Sequence, residues 1–207
     1  KSTLLRLIAD VLRPDCGTIL IDGASVYGNE RIKREMFFLP DDPFYATGTT
    51  VEKLAALYAT FYDFDREVFA RYADIFHVER RTPIRNFSKG MKRQAFVTLA
   101  LACRPHYLLL DEAFSALDYQ TRLNVTDDVY RILKREQVTT LMVTHDIPES
   151  ISMGDKILVL SARPAQVKEI LSVDFGPGRS PLSCRANRQF GPYFDHIWKE
   201  GSTDERS

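Results

Sequence analysis

Apolar residues recur along the chain in two rhythms, and the switches between them mark out its elements. After Lys1-Ser2-Thr3, the run Leu4-Leu5-Arg6-Leu7-Ile8-Ala9-Asp10-Val11-Leu12 has helical spacing, ended by Arg13-Pro14-Asp15. Gly17-Thr18-Ile19-Leu20-Ile21-Asp22-Gly23 reads as a strand bounded by glycines. The basic stretch Arg31 to Arg34 leads through Met36-Phe37-Phe38 into Leu39-Pro40-Asp41-Asp42-Pro43, a core strand followed by a proline-bracketed loop. Helical spacing returns at Val51, Leu54, Ala55, Tyr58 and Phe61, with Thr49 as N-cap and Glu52 completing a capping box. A second such helix follows Asp65 and buries Val68, Phe69, Tyr72, Ile75 and Phe76. These aromatic stripes predict the core of a helical subdomain, with His77 as a cation at the second helix's C-terminal end.

Ser88 caps an apolar helix that continues through Ala95 to Cys103. Tyr107-Leu108-Leu109-Leu110 is then a strand buried on both faces, releasing Asp111 and Glu112 at its C-terminal end. A helix with Val125, Val129, Ile132 and Leu133 on one face precedes another buried strand, Thr139 to Thr144, which ends at His145-Asp146. Lys156 to Leu160 and Val167 to Ile170 are two more strands. From Asp174 the chain is rich in Gly, Pro, Arg and Ser. Tyr193, Phe194, Ile197 and Trp198 mark a short amphipathic helix there, and Gly201 to Ser207 is expected to be disordered.

Composition narrows the function classes. Lys+Arg and Asp+Glu both number 28, so no global basic field points to a nucleic-acid partner. No apolar run approaches the roughly 18 residues of a membrane span, so a membrane role must come through a partner. Cys16, Cys103 and Cys184 are scattered and form no CxxC pair, which argues for a reducing compartment without a zinc site or disulfide framework. No secretory leader is read at the start.

The chemistry gathers where strands end. Buried carboxylates at the C-terminal end of an apolar strand need a cation or a proton-transfer role, and that end of a parallel sheet is where ligands sit. His145 stands at the same edge. Lys1-Ser2-Thr3 is either a chance helix cap or the end of G-x-x-x-x-G-K-[ST], the loop whose amides cradle phosphates. Its glycines would precede Lys1, so the chain is read as a fragment opening in mid-motif that binds ATP poorly by itself. Asp41 and Asp42 are either a solvated turn or part of a site. Lys89 in the first turn of a helix conflicts with the helix dipole, which hints at an external phosphate.

In this order the motifs resemble the ATP-binding subunit of ATP-binding-cassette (ABC) transporters, over nearly the whole chain. Lys1-Ser2-Thr3 matches the end of Walker A, Leu108 to Asp111 Walker B, and Glu112 the acid after it. Phe87-Ser88-Lys89-Gly90-Met91 sits at the Leu-Ser-Gly-Gly-Gln signature, Ser115-Ala116-Leu117-Asp118 at the D-loop, and His145 at the switch histidine. Asp41 falls where many members carry a Gln touching Mg²⁺ and the membrane partner.

The resemblance implies an α/β P-loop NTPase fold of RecA-like type, with a mostly parallel sheet. It implies a nucleotide-binding core over 1–45 and 104–172, a helical signature subdomain over 46–103, and a tail over 173–207. It further implies ATP and Mg²⁺ as cofactors. Lys1, Ser2 and Thr3 would bind phosphate. Ser2, Asp111 and Asp41 would face the metal. Glu112 would be the general base, and His145 would contact the γ-phosphate and attacking water. Ser88, Lys89, Gly90 and Asp118 would act on nucleotide shared with a second copy. The implied partners are a second cassette, integral membrane permease subunits and a substrate-binding protein, on the cytoplasmic face of the membrane. Lys89 and Met91 depart from the signature, Asp41 from the Gln, and Ala113 from a common Pro.

The Pro40–Pro43 loop and the Ser-Lys-Gly-Met signature are similar to exporter cassettes. Ile157 to Pro164 and Ile197-Trp198 are similar to nitrate, sulfonate or taurine importers, and the reading leans slightly to import. A soluble cassette acting on DNA or ribosomes would call for a coiled-coil insertion, zinc cysteines or a basic stripe. A non-hydrolysing regulatory cassette is opposed by the presence of both Glu112 and His145.

Overall fold

The computed structural model describes residues 1–115, 117–162 and 164–202. Ala116 of the Ser115–Asp118 motif, Arg163 and residues 203–207, including most of the expected disordered end, therefore lie outside the described residues. The chain divides into two compact units, one of Lys1–Asp118 with Leu133–Val143, the other of Tyr119–Ile132 with Thr144–Ser207.

The first unit is built on three parallel strands in the order β3 (Met36–Leu39), β4 (Tyr107–Asp111) and β5 (Thr139–Val143). Leu39 pairs with Leu110, and Asp111 pairs with Val143. With a partner on each side, β4 is the central strand, and Leu108, Leu109, Leu110 and Asp111 are all buried. Alternation sends its leucines to both faces. Leu109 joins Leu5, Val26, Ile32 and Met36 in one core cluster. Those residues come from α1 (Ser2–Ile8), α2 (Glu30–Glu35), β3 and the loop before α2. On the other side Phe37 meets Tyr58 of α3 (Val51–Tyr58) edge to face and packs at a tilt against Tyr62. Beside it α5 (Lys89–Ala102) packs on α4 (Arg66–Ile75) and is buried along most of its length. Strand β5, expected to be buried, is half-buried with Thr139 exposed, because it is the end strand of this sheet.

The glycine-bounded strand is a small hairpin, β1 (Leu20–Ile21) against β2 (Ala24–Ser25). Asp22 and Gly23 both take positive φ, 49° and 76°, as a two-residue primed turn requires. Several helix ends differ from the pattern-based reading. The first helix stops at Ile8, well short of Leu12, in a left-handed C-terminal motif. The Val11 amide donates to the Arg6 carbonyl and the Asp10 amide to that of Leu7, with Asp10 at φ 54°. Asp10 is held there by the Gly28 amide and the Lys33 ammonium, whose hydrogen bond also keeps its carboxyl below the usual range.

The N-cap of α3 is Thr50, one residue later than expected. Its hydroxyl accepts from the Lys53 amide, and Glu52 pairs with Arg66, so no capping box forms from Thr49. Phe61 and Ile75 are exposed and Tyr58 and Val68 half-buried; the remaining positions of the two stripes are buried as expected. His77 occupies the left-handed position after α4, at φ 51°.

In the second unit, β6 (Lys156–Leu160) and β7 (Val167–Ser172) form an antiparallel pair. Ile157 and Val159 share a core with Ile151 of α7 (Ile147–Met153), Val173, and Ile197 of α9 (Phe190–Ser202). The short helix α8 (Pro181–Arg185) starts in a Ser180–Ser183 capping box. Gly201, expected in the disordered end, lies in α9. The long helix α6 (Tyr119–Arg135) has Val125, Val129, Ile132 and Leu133 buried, as its periodicity predicts. Among the described residues no helix is long and apolar enough to cross a membrane.

Candidate functional site

Three segments of the first unit converge at the C-terminal end of β4. Lys1 precedes α1 as its N-cap, and Ser2 is the first helical residue. The Ser2 hydroxyl donates to Asp111 Oδ1 over 2.8 Å. Asp111 is only 3% exposed, so this contact satisfies a carboxylate that burial would otherwise penalise. Lys1 and Thr3 are exposed.

Beyond Asp111 the chain turns sharply. Glu112 takes φ 47°, a left-handed conformation that is strained for a residue with a side chain and is found preferentially at functional positions. Its amide donates to the Val143 carbonyl at the end of β5 over 2.9 Å. Its carbonyl accepts from the Ser115 amide at 3.2 Å and the Ser115 hydroxyl at 3.0 Å. Bonds to its main chain on both sides hold the bend, and the Glu112 side chain is left half-buried.

The Ser115 hydroxyl also lies 3.5 Å from Asp41 Oδ1, the outer limit of a hydrogen bond. Asp41 is held by Arg93 of α5. That guanidinium donates to the Pro40 carbonyl at 3.1 Å and the Asp41 carbonyl at 2.8 Å, and stands 3.6 Å from the Asp41 carboxylate. Ser88 caps α5, its hydroxyl accepting from the Met91 amide at 3.2 Å. Ser88 and Lys89 are exposed and Gly90 is half-buried. Of the neighbouring cations, Lys92 lies over the Tyr45 ring and Arg93 turns inward. Asp118, the last residue of this stretch, is exposed.

His145 belongs to the second unit and is exposed there. The adjoining Asp146 serves the backbone. Its carboxylate caps α7 by accepting from the Glu149 amide and pairs with Arg122 at 2.8 Å.

The donor set suits Mg²⁺ as a nucleotide carries it. Among the described residues no group of three or more His, Cys, Asp or Glu could hold a metal. Mg²⁺ does not need such a cage, because it keeps waters and phosphate oxygens and takes only one or two protein oxygens. A hydroxyl and a buried carboxylate already in contact, as Ser2 and Asp111 are, can supply those oxygens.

Arg93, which the residue pattern leaves out of the site, and Ser115, to which the Ser115–Asp118 motif gives no role of its own, tie its segments together. Arg93 was detectable in principle. It sits three and four positions before Phe96 and Val97, on the buried stripe of α5, and a charge on such a stripe signals an internal acceptor.

Comparison with known proteins gives one consistent result. The family model described as ABC transporter matches residues 1–115. An ABC transporter ATP-binding protein of Bacillus subtilis, YtlC, is 32% identical, the match covering 100% of this chain and 81% of that one. The nitrate import ATP-binding protein NrtD of Synechocystis is 34% identical, over 95% of this chain and 77% of that one. A solved ATP-binding subunit of an ABC transporter superposes with a TM-score of 0.73 at 24% identity, covering 97% of this chain and 82% of that one, a likeness of fold.

Proposed function

Because the chain belongs to the ABC transporter family, we propose that it is an ATP-hydrolysing subunit that drives transport by closing and reopening a pair of cassettes around nucleotide. The observation that carries this reading is the Ser2–Asp111 hydrogen bond directly beside the strained Glu112. Bound Mg²⁺ would shield the phosphate oxygens and the charge that develops as the γ-phosphoryl leaves.

The residues of the chain divide the remaining work. Lys1 places a point charge on the terminal phosphates, and the Thr3 hydroxyl and the opening amides of α1 add donors. Ser2, Asp111 and Asp41 would hold the metal. Glu112 accepts a proton from the attacking water as general base. His145 orients that water and contacts the γ-phosphate. Ser88, Lys89 and Gly90, carried by the helical segment 46–103, reach the nucleotide of the second copy, and Asp118 lies at the junction of the two cassettes. Each site is then complete only when the pair is closed.

The likeness to a nitrate import protein supports import of a small anion over export. Permease subunits, reached from the cytoplasmic face, and a substrate-binding protein complete that assembly; copurification of such a binding protein with the full-length protein separates import from export. The test of the chemistry is Glu112→Gln in the full-length protein. Turnover falls at least about 100-fold, as loss of a general base demands, while ATP binding persists and light scattering shows an ATP-dependent dimer. Wild-type turnover in this variant removes Glu112 from the role of base.

A further inference from the structure

The loop after β3 has no regular secondary structure over Pro40–Tyr45, yet α5 grips it at several points. Arg93 reaches two consecutive carbonyls and a carboxylate. Lys92 Nζ stands 5.5 Å from the centre of the Tyr45 ring, which also packs against Phe96, with centroids 6.1 Å apart. Burying a guanidinium to 6% exposure is unfavourable unless its donors are all used, and an apolar residue would fill the same space more cheaply. What arginine adds is a rigid fork of donors, which here spans the Pro40 and Asp41 carbonyls while its charge faces the Asp41 carboxylate.

We infer that Arg93 is a positioning residue that makes the Asp41 loop one body with the capped helix α5, and so sets where the Asp41 carboxylate stands at the site. The inference rests on the ATPase reading for its consequence in turnover, but not for its structural content. Through Arg93, a displacement of α5 carries Asp41 with it. Through Ser115, which contacts both the Asp41 carboxylate and the Glu112 carbonyl, the same displacement bears on the bend that aims Glu112. Ser88 opens α5, so the end that faces nucleotide on a second copy and the loop that faces metal are joined through the buried Arg93 side chain.

The experiment compares wild type, Arg93→Met and Arg93→Lys in the full-length protein. Two readouts are taken, amide hydrogen exchange of peptides covering 40–46 and steady-state turnover against ATP and Mg²⁺. Arg93→Met is expected to exchange about tenfold faster in 40–46 than wild type, with the rest of the first unit unchanged, as local opening requires. Its kcat falls about 10- to 100-fold, the scale of a misplaced group. Its KM for ATP stays within about threefold, and more Mg²⁺ is needed for half-maximal rate. Arg93→Lys, which keeps the charge and one donor direction, falls between the two in every readout.

Unchanged exchange in 40–46 overturns the inference. So does acceleration spread evenly over the unit with kcat reduced at unaltered Mg²⁺ dependence, the signature of general destabilisation. If Arg93→Met does not fold, Arg93→Lys decides alone, and wild-type exchange and Mg²⁺ dependence in that variant overturn the inference. A wild-type protein without Mg²⁺-dependent turnover defeats the ATPase reading instead, and leaves the exchange of the 40–46 peptides to decide Arg93.

Discussion

The Ser2 hydroxyl donates to the Asp111 carboxylate over 2.8 Å, bridging residues 109 positions apart. One comes from the first turn of a helix, the other from the last residue of the central strand. Ser2→Ala leaves a carboxylate at 3% exposure without this donor, which costs about 1–3 kcal/mol. Asp111→Asn keeps an acceptor for the hydroxyl but removes the charge. Urea unfolding is therefore expected to show a lower midpoint for Ser2→Ala than for Asp111→Asn. A Mg²⁺ titration of turnover is expected to show both shifted to higher Mg²⁺.

His77 is an exposed residue in the left-handed region, at φ 51°. The Val78 amide donates to the Ala73 carbonyl at 2.8 Å and the His77 amide to that of Asp74 at 3.2 Å, so the conformation is required to close α4. Left-handed backbone costs a residue with a side chain about 1–2 kcal/mol, offset in part by the greater freedom glycine has when unfolded. His77→Gly is expected to raise the unfolding free energy by about 1 kcal/mol, read as a shift of the urea midpoint at constant slope.

Burial pushes the Tyr58 hydroxyl up to about 12, and burial also raises Tyr62 and the Cys103 thiol. The folded value of Tyr58 exceeds its unfolded value of 10.0, so the native state holds this proton over a pH range where the unfolded chain has lost it. Its contribution to stability is complete below pH 10 and is lost as pH rises towards about 12. Alkaline unfolding is the measurement. Tyr58→Phe is expected to lose less stability between pH 9 and pH 12 than wild type, and identical pH profiles refute this assignment.

Thiol accessibility differs sharply among the cysteines. Cys16 is exposed, while Cys103 and Cys184 are 1% and 0% exposed and their thiols are raised by burial. Because the thiolate is the reactive form, a maleimide or Ellman reagent is expected to modify Cys16 alone in the native protein. The other two react only in denaturant, and mass spectrometry of digested protein assigns the sites.

Local pattern carried most of the elements and named the Ser2 and Asp111 side chains that meet in the candidate site. Strand β4 was legible because three leucines followed by two acids suit a doubly buried strand that opens on a ligand edge. The stretch Ser88–Ala102 was legible because a hydroxyl cap precedes an apolar run. Helix ends were less so. Asp10, His77, Arg104 and Gln137 all take the left-handed position, at φ 54°, 51°, 49° and 53°, where glycine would have announced the stop. That is why the helical spacing runs on to Leu12 although α1 ends at Ile8. Thr50 and not Thr49 is the cap: the Glu52 amide, which a Thr49 cap would receive, donates to the Arg80 carbonyl, and the Glu52 carboxylate pairs with Arg66 of the next helix.

By itself, then, the sequence determined which segments would be helix or strand and which side chains could serve nucleotide chemistry, since both follow from residue type and short-range spacing. Only the tertiary structure decided which of those side chains meet. Ser2 reaches Asp111 across 109 positions, and Arg93 reaches the Asp41 carbonyl across 52. Contacts at such separations depend on strand order and on how helices seat against the sheet. No local period encodes them, because the free energy that selects them is the burial of the whole core.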